Sequence, residues 1–245
     1  MNIRTSFVIL SCLTPLTSQA FTVYDSFGSF ADATWGGSGI PNDAVAASKT
    51  IVDGDTTIRV AMAATERFSN PPVSDNGAAI YQAGTGSNFG GNNESSSEGA
   101  LWNWNYFIDI SNPNDPNVKL TDYQIDLYYD LDPAGPTACC NVAGLGRIDV
   151  TAVLNANDPN ATLSEDSQNN MFGYLATGVP GFVYAPSGTF DPDAVGNYQF
   201  AMTVSSGTFG IESVAMEVNV VPVPAAAWLF GSALMGLTAL RRKRS

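Results

Sequence analysis

Carboxylates are the main residues able to do chemistry in this chain. The sequence holds 17 Asp, 6 Glu and no histidine. Without an imidazole, Ser-His-Asp triads, Cys-His dyads and histidine-ligated zinc, copper, haem or iron sites are excluded. Two carboxylates alone can hydrolyse glycosides, but no spacing singles out such a pair. The sequence therefore favours a protein that is not an enzyme.

Calcium is the one cofactor that the acidic residues suggest. Short Asp/Asn groups fall in predicted loops, where they offer the hard oxygen ligands that Ca²⁺ prefers. None matches an EF-hand, and each is also typical of a simple turn. Asp130 and Asp132 are the preferred calcium pair, because they follow a strongly predicted strand and lie on one side of it.

Cys139 and Cys140 are adjacent, and Cys12 is the only other cysteine. Under the oxidising conditions outside the cytoplasm, this pair could form a vicinal disulfide, form an intermolecular disulfide or remain as free thiols. Redox catalysis is disfavoured because there is no C-x-x-C motif.

Charge is distributed unevenly along the chain. The formal net charge is −13, but the 23 acidic residues all lie between Asp25 and Glu217. Only five of the ten bases lie in that middle region, which therefore carries −18. Such a surface repels phosphate backbones, so we expect no nucleic-acid partner.

Alternating hydrophobic residues predict strands in the middle region. The period of two is clearest in residues 101–110, 123–130, 148–152, 198–204 and 214–220, with weaker candidates at 22–27, 57–64, 171–176 and 181–184. Short strands between Gly/Pro/Asn/Asp loops predict an all-β, antiparallel β-sandwich of jelly-roll or immunoglobulin-like type.

Two stretches of the middle region allow different interpretations. Trp102, Trp104 and Tyr106 share one face of a predicted strand, which suits core packing and could also stack on sugar rings. Residues 84–99 are rich in Gly, Asn and Ser, which predicts a mobile loop.

The N-terminus predicts an export signal. Arg4 precedes an apolar run, and Ser18 and Ala20 place small residues before a cut after residue 20. Cys12 makes a poor lipoprotein site because Leu10 is an unsuitable residue at its position before the cysteine, and because the preceding apolar run is very short.

The C-terminus predicts one transmembrane helix. Residues 225–240 carry no charge and would span about 24 Å as a helix. The basic tail, residues 241–245, contains Arg241, Arg242, Lys243 and Arg244 and obeys the positive-inside rule.

This end of the chain resembles the PEP-CTERM family of sorting signals, and its VPLPA-CTERM variant in particular. The matching residues are Val221, Pro222, Val223, Pro224 and Ala225, followed by the predicted helix and the basic tail. The variant commonly has leucine where Val223 stands. The resemblance covers residues 221–245 and implies that an exosortase-type membrane protease removes the tail. It also implies an inner-membrane anchored precursor, then a product at the cell surface or in the extracellular matrix of a Gram-negative bacterium.

The sequence thus divides into a signal peptide (1–20), an exported acidic domain (21–220) and a sorting signal (221–245). The first hypothesis is a structural or adhesive protein of biofilm or exopolysaccharide. The alternatives are a Ca²⁺-dependent carbohydrate-binding module and a carboxylate-based glycan hydrolase.

Overall fold

The computed structural model describes residues 23–37, 40, 44–91, 93–134 and 144–222. The predicted signal peptide and transmembrane helix lie outside these residues. The strands are β1 (Ser26–Ser29), β2 (Val45–Asp53), β3 (Thr56–Glu66), β4 (Ser74–Asp75), β5 (Ile80–Gly84), β6 (Ser87–Asn88), β7 (Gly99–Ala100), β8 (Trp102–Ser111), β9 (Gln124–Tyr129), β10 (Gly146–Asp149), β11 (Leu163–Gln168), β12 (Val183–Tyr184), β13 (Gly196–Ser206) and β14 (Gly210–Val221). The helices are α1 (Val150–Asn157), α2 (Gly173–Thr177) and a 3-10 turn (Leu120–Asp122).

Two large sheets form a β-sandwich, as the sequence predicted. Sheet A has the order β1-β2-β3-β8-β11 and is antiparallel throughout. Sheet B has the order β12-β10-β9-β13-β14-β5-β4. Among its described strands the one parallel pair is β14 with β5, which β6–β13 separate along the chain. Strands β6 and β7 form a separate small ribbon.

Large aromatic side chains fill the space between the sheets. Trp102 and Trp104 of sheet A are 2% and 0% exposed. The Trp104 ring lies 5.1 Å from Phe200 and stacks on Tyr129 at 6.1 Å, both in sheet B. These residues therefore belong to the core, and the sugar-stacking interpretation of this strand is wrong.

Two buried asparagines tie the end of β11 to the rest of the sandwich. The Asn169 amide donates to the carbonyls of Ala100 and Trp102, and its oxygen accepts the Ala100 amide. The Asn170 oxygen accepts the Trp104 indole N–H at 2.9 Å, while its nitrogen donates to the Asp130 carbonyl. These bonds satisfy backbone groups where strand pairing ends.

A strap formed by residues 30–37 covers the outer face of sheet A. Phe30 packs on Phe107 of β8 at 5.1 Å, and Trp35 is fully buried. Glu165 of β11 accepts hydrogen bonds from the backbone amides of Thr34 and Trp35, both at 2.8 Å. Beneath the strap, sheet A is consequently buried on both faces.

Two predicted strands are wrong because they contain helical turns. Residues 148–152 leave β10 at Asp149, whose side chain accepts the Ala152 amide at 2.8 Å and begins α1. Such N-caps stabilise the first turn of a helix. The predicted strand at 171–176 contains α2 instead.

The low-complexity segment is more structured than a loop prediction implies. Arg67, 4% exposed, donates to the carbonyls of Asn88 and Ser97 at 2.8 and 2.9 Å. Strand β6 lies within this segment and pairs with β7, which begins at its last residue. A guanidinium buried against backbone carbonyls thus anchors it to β3.

Candidate functional site

The predicted sorting motif begins at the end of the last strand of the sandwich. Val221 is the last residue of β14, pairs with Gly84, and its carbonyl accepts the Thr85 amide at 3.1 Å. Pro222 follows outside the strand and is exposed. Proline lacks the N–H that would extend the ladder, which explains why pairing stops there.

Several predicted residues lie outside the described part of the chain. They are Ser18, Ala20, Cys139, Cys140, Val223, Pro224, Ala225, Arg241, Arg242, Lys243 and Arg244. No helix within the described residues is long and apolar enough to cross a membrane. The predictions for these segments therefore remain sequence predictions.

Asp130 and Asp132 form consecutive turns at the end of β9. The Asp132 amide donates to Asp130 Oδ1, and the Ala134 amide donates to Asp132 Oδ1, both at 2.9 Å. Asp130 is 5% exposed, and burial raises the pKa of its carboxyl against the opposing effect of backbone hydrogen bonds. Both carboxylates thus stabilise the turn by accepting backbone amides. This is the simple-turn interpretation that the sequence also allowed for these residues.

The described residues contain no group of three or more Asp, Glu or Cys side chains arranged to hold a metal ion. Asp130 and Asp132 offer two carboxylates, and further ligands would be needed for Ca²⁺, which takes about six to eight oxygens. The calcium site remains a prediction.

A row of three side chains crosses the outer face of sheet B. Tyr128 of β9 pairs with Arg147 of β10, which in turn pairs with Tyr184 of β12. The Arg147 guanidinium lies 4.3 Å from the centre of the Tyr184 ring, and Tyr184 is 48% exposed. We call Tyr128, Arg147 and Tyr184 the tyrosine–arginine row.

Carboxylates beside the row hold Arg147 in place. Asp126 accepts a hydrogen bond from Arg147 Nη1 at 2.8 Å, and Asp149 lies 3.7 Å from the same atom. Gln124 donates to both carboxylates at 3.2 Å. Burial raises the pKa of Asp126, and Arg147 opposes this rise. The network orients a cation between two aromatic rings, an arrangement that can stack on flat ligand faces and donate hydrogen bonds.

Sequence reasoning missed this row although one signal was present. The alternation that buries Ile125, Leu127 and Tyr129 places Tyr128 on the opposite, outer face. An aromatic residue on a predicted solvent face indicates a contact surface. Its pairing with Arg147 and Tyr184 depends on strand register, which the sequence does not reveal.

A small cleft of about 140 Å³ lies near Tyr81, with Glu66 and Asp75 among its lining residues. Ligand pockets usually enclose about 300–1,000 Å³. The Tyr81 hydroxyl donates inward to the Val45 carbonyl at 2.8 Å, so it is not presented to a ligand. The cleft is therefore a weaker candidate than the tyrosine–arginine row.

We expect the protein to be more stable at pH 5 than at pH 8. Burial raises the carboxyl pKa of Asp126, Asp130 and Glu217 in the folded state. Their contribution to stability is full below the ordinary carboxyl pKa of about 4 and is lost as pH rises through the raised values. Repulsion among the many acidic residues acts in the same direction.

Thermal unfolding of the full chain, followed by circular dichroism across this pH range, tests this expectation. The Asp126→Asn variant should show a shallower dependence of the melting temperature on pH, because one raised carboxyl is gone. A melting temperature that climbs from pH 5 to pH 8 would contradict the expectation.

Comparisons with known proteins assign no family to this chain. No family model matches it, and no curated protein matches it. Among solved structures it is similar to the crystal structure of the PmoD soluble domain from Methylocystis sp. ATCC 49242 (Rockwell). The identity is 13%, with 70% of this chain and 96% of that chain covered, and the TM-score is 0.25. A TM-score this low carries no argument, so the function has to be inferred from the chain's own residues.

Proposed function

We propose that this chain is an exported, non-catalytic β-sandwich protein that an exosortase-type protease sorts through its C-terminal signal. Its role would be structural or adhesive, at the cell surface or in the exopolysaccharide matrix. The observation that carries the proposal is the order of Val221-Pro222-Val223-Pro224-Ala225, an uncharged segment and four consecutive bases. A membrane helix followed by bases fixes the orientation, with the acidic domain on the exported side.

The end of β14 supports this assignment. Only Pro222, Val223 and Pro224 separate the last paired residue from the uncharged segment that begins at residue 225. Three extended residues reach about 10 Å at most. A folded precursor would therefore lie against the membrane surface, with the motif between the sandwich and the bilayer. Prolines keep that junction out of the sheet.

Changing both Pro222 and Pro224 to Ala tests the sorting proposal in a bacterium that has the protease. We expect the variant to remain full-length in the inner membrane, because the proline motif is what the protease recognises. The matched control changes Pro71 and Pro72 to Ala. These are adjacent, exposed prolines of the sandwich, so their variant should be released normally. Normal release of the Pro222/Pro224 variant would contradict the proposal.

A second candidate function is carbohydrate binding, which the tyrosine–arginine row favours. Tyr184 presents an exposed ring, and Arg147 supplies a fixed cation next to it. Aromatic faces stack on sugar rings, and planar side chains donate directed hydrogen bonds. The −18 charge of the exported region favours neutral glycans over acidic ones, because like charges repel.

A glycan array probed with the full chain, with and without Ca²⁺, tests this second candidate. Tyr184→Ala should abolish binding to neutral oligosaccharides. Ile211→Ala, which changes a residue of sheet B that is 71% exposed, should leave binding intact. Binding that needs Ca²⁺ would support a calcium-dependent module, and release of cleaved sugars would favour the hydrolase. No binding at all would remove this candidate.

A further inference from the structure

Three buried polar atoms, two on sheet A and one on the strap that covers it, have no hydrogen-bond partner among the described residues. They are the Trp35 indole Nε1, Asn105 Oδ1 and Ser167 Oγ. Trp35 and Asn105 are both 0% exposed. Buried polar groups are nearly always paired in native proteins, with protein or with ordered water. Three exceptions in one region point to a partner that the described residues do not supply.

Strand register brings two of these atoms together. Asn105 of β8 and Ser167 of β11 are direct cross-strand partners. Both lie on the outer face of sheet A, because the preceding residue on β8, Trp104, points into the core. Side chains of directly paired residues start about 4.5–5.5 Å apart at Cβ. The two side chains are therefore neighbours on this face, yet neither Asn105 Oδ1 nor Ser167 Oγ has a hydrogen-bond partner among the described residues.

The strap places Trp35 over the same face of sheet A. The Trp35 amide donates to Glu165 Oε2 at 2.8 Å, and Glu165 precedes Ser167 by two residues on the same face of β11. The Trp35 ring lies 6.1 Å from Phe30, which packs on Phe107. Phe107 pairs with Glu165, so Trp35 lies over the neighbouring position on the outer face.

The backbone of the strap is held in this arrangement. Trp35 has a φ of 56°, a left-handed conformation that bulky residues rarely adopt. The hydrogen bonds that the Thr34 and Trp35 amides donate to Glu165 compensate for this cost. Their combined effect is to fix the indole under the strap, out of contact with solvent.

The orientation of the Asn105 amide follows from its neighbours. Its nitrogen donates to the Ala63 carbonyl at 3.4 Å and to Thr65 Oγ1 at 3.1 Å. A carbonyl can only accept, so the nitrogen must face β3. The oxygen of Asn105 is then the group that faces away from β3, towards Ser167.

We propose that this site binds one internal water molecule that bridges Trp35, Asn105 and Ser167. The indole N–H can only donate, the amide oxygen can only accept, and the hydroxyl does either. Water is the small ligand that can accept from one and donate to another, and buried waters typically make about three hydrogen bonds. A bare cation would meet the indole N–H, and an anion would meet the amide oxygen, so neither suits all three groups.

The Trp35 indole proton provides the test by NMR on the full chain in detergent. Trp35→Phe identifies its signal among the four tryptophans. We expect a cross-peak between this proton and a long-lived water. A high-resolution crystal structure of the chain should show that water within hydrogen-bond distance of all three atoms. Direct bonding of the indole to a protein acceptor, with no water cross-peak, would overturn the proposal.

A pair of serine variants separates a bound water from general packing. Ser167→Ala removes one of its partners and should speed exchange of the Trp35 indole proton severalfold, with the fold retained. Ser164→Ala changes another serine of β11, whose hydroxyl contacts Tyr106 instead, and should leave that exchange unchanged. Equal exchange rates in both variants would contradict a water held by Ser167.

Discussion

Replacing Trp104 with alanine should lower the free energy of unfolding by about 3–5 kcal/mol, the usual cost of emptying a large aromatic site. The side chain is 0% exposed and packs between Tyr129 and Phe200 of the opposite sheet. Its loss would also leave the oxygen of Asn170, 2% exposed, without the indole donor. For a domain of this size, we expect the melting temperature to fall by about 6–20 °C.

Trp104→Phe is the matched control for this prediction. It retains most of the ring contacts but removes the indole N–H, so the expected loss is about 1–3 kcal/mol, the cost of an unpaired buried acceptor. Chemical denaturation of both variants gives the two values. Equal losses in the two variants would show that the cavity contributes little, and would contradict a packing role for Trp104.

Replacing Asn169 with alanine should destabilise the protein by about 3 kcal/mol or more, although the change deletes few atoms. Its amide group bonds to both backbone groups of Ala100, to the Trp102 carbonyl and to the Met171 amide. Each buried group left unpaired costs about 1–3 kcal/mol. The residue is 0% exposed, so water cannot readily replace these bonds.

Two controls define this second effect. Asn169→Asp preserves the shape and the acceptor but removes the donor, so it should also be strongly destabilising. Asn160→Ala changes an exposed asparagine and should alter the free energy of unfolding by less than about 0.5 kcal/mol. If Asn169→Ala behaved like Asn160→Ala in denaturant titrations, the hydrogen-bonded junction at the end of β11 would have no energetic importance.

The central strands were predictable because each has one apolar face. In β8, β9, β13 and β14 the buried residues recur with period two, which is the signal of a strand packed on one core. Strand β11 was missed because Leu163, Ser164, Glu165, Asp166, Ser167 and Gln168 show no such alternation. Its place in the sheet is fixed by pairing with β8 and by the anchors at Asn169 and Asn170.

The helical segments show that a strand-like alternation does not always predict a strand. Ile148, Val150 and Ala152 alternate as a strand would, yet the chain turns into α1 after Asp149. The hydrogen bond from the Ala152 amide to the Asp149 side chain outweighs the local periodicity. Likewise, the role of Arg67 as an anchor for residues 84–99 depends on contacts between segments far apart in the chain.

The candidate functional features also differ in whether they depend on local sequence or on contacts between distant segments. The proposed sorting motif could be predicted from the sequence, because a proline pair, an uncharged segment and a basic cluster occur in linear order. The tyrosine–arginine row and the buried site under Trp35 each combine residues from separate strands or loops. Only the register of the sheets brings those residues together.

The mass and terminal sequences of the protein recovered from the cell surface or the medium test the central proposal most directly. We predict a polypeptide that begins at Phe21 and lacks the uncharged segment and the basic tail, with the whole acidic sandwich retained. Recovery of the chain with Arg241–Arg244 still attached, or recovery of the protein only from the cytoplasm, would contradict the proposal.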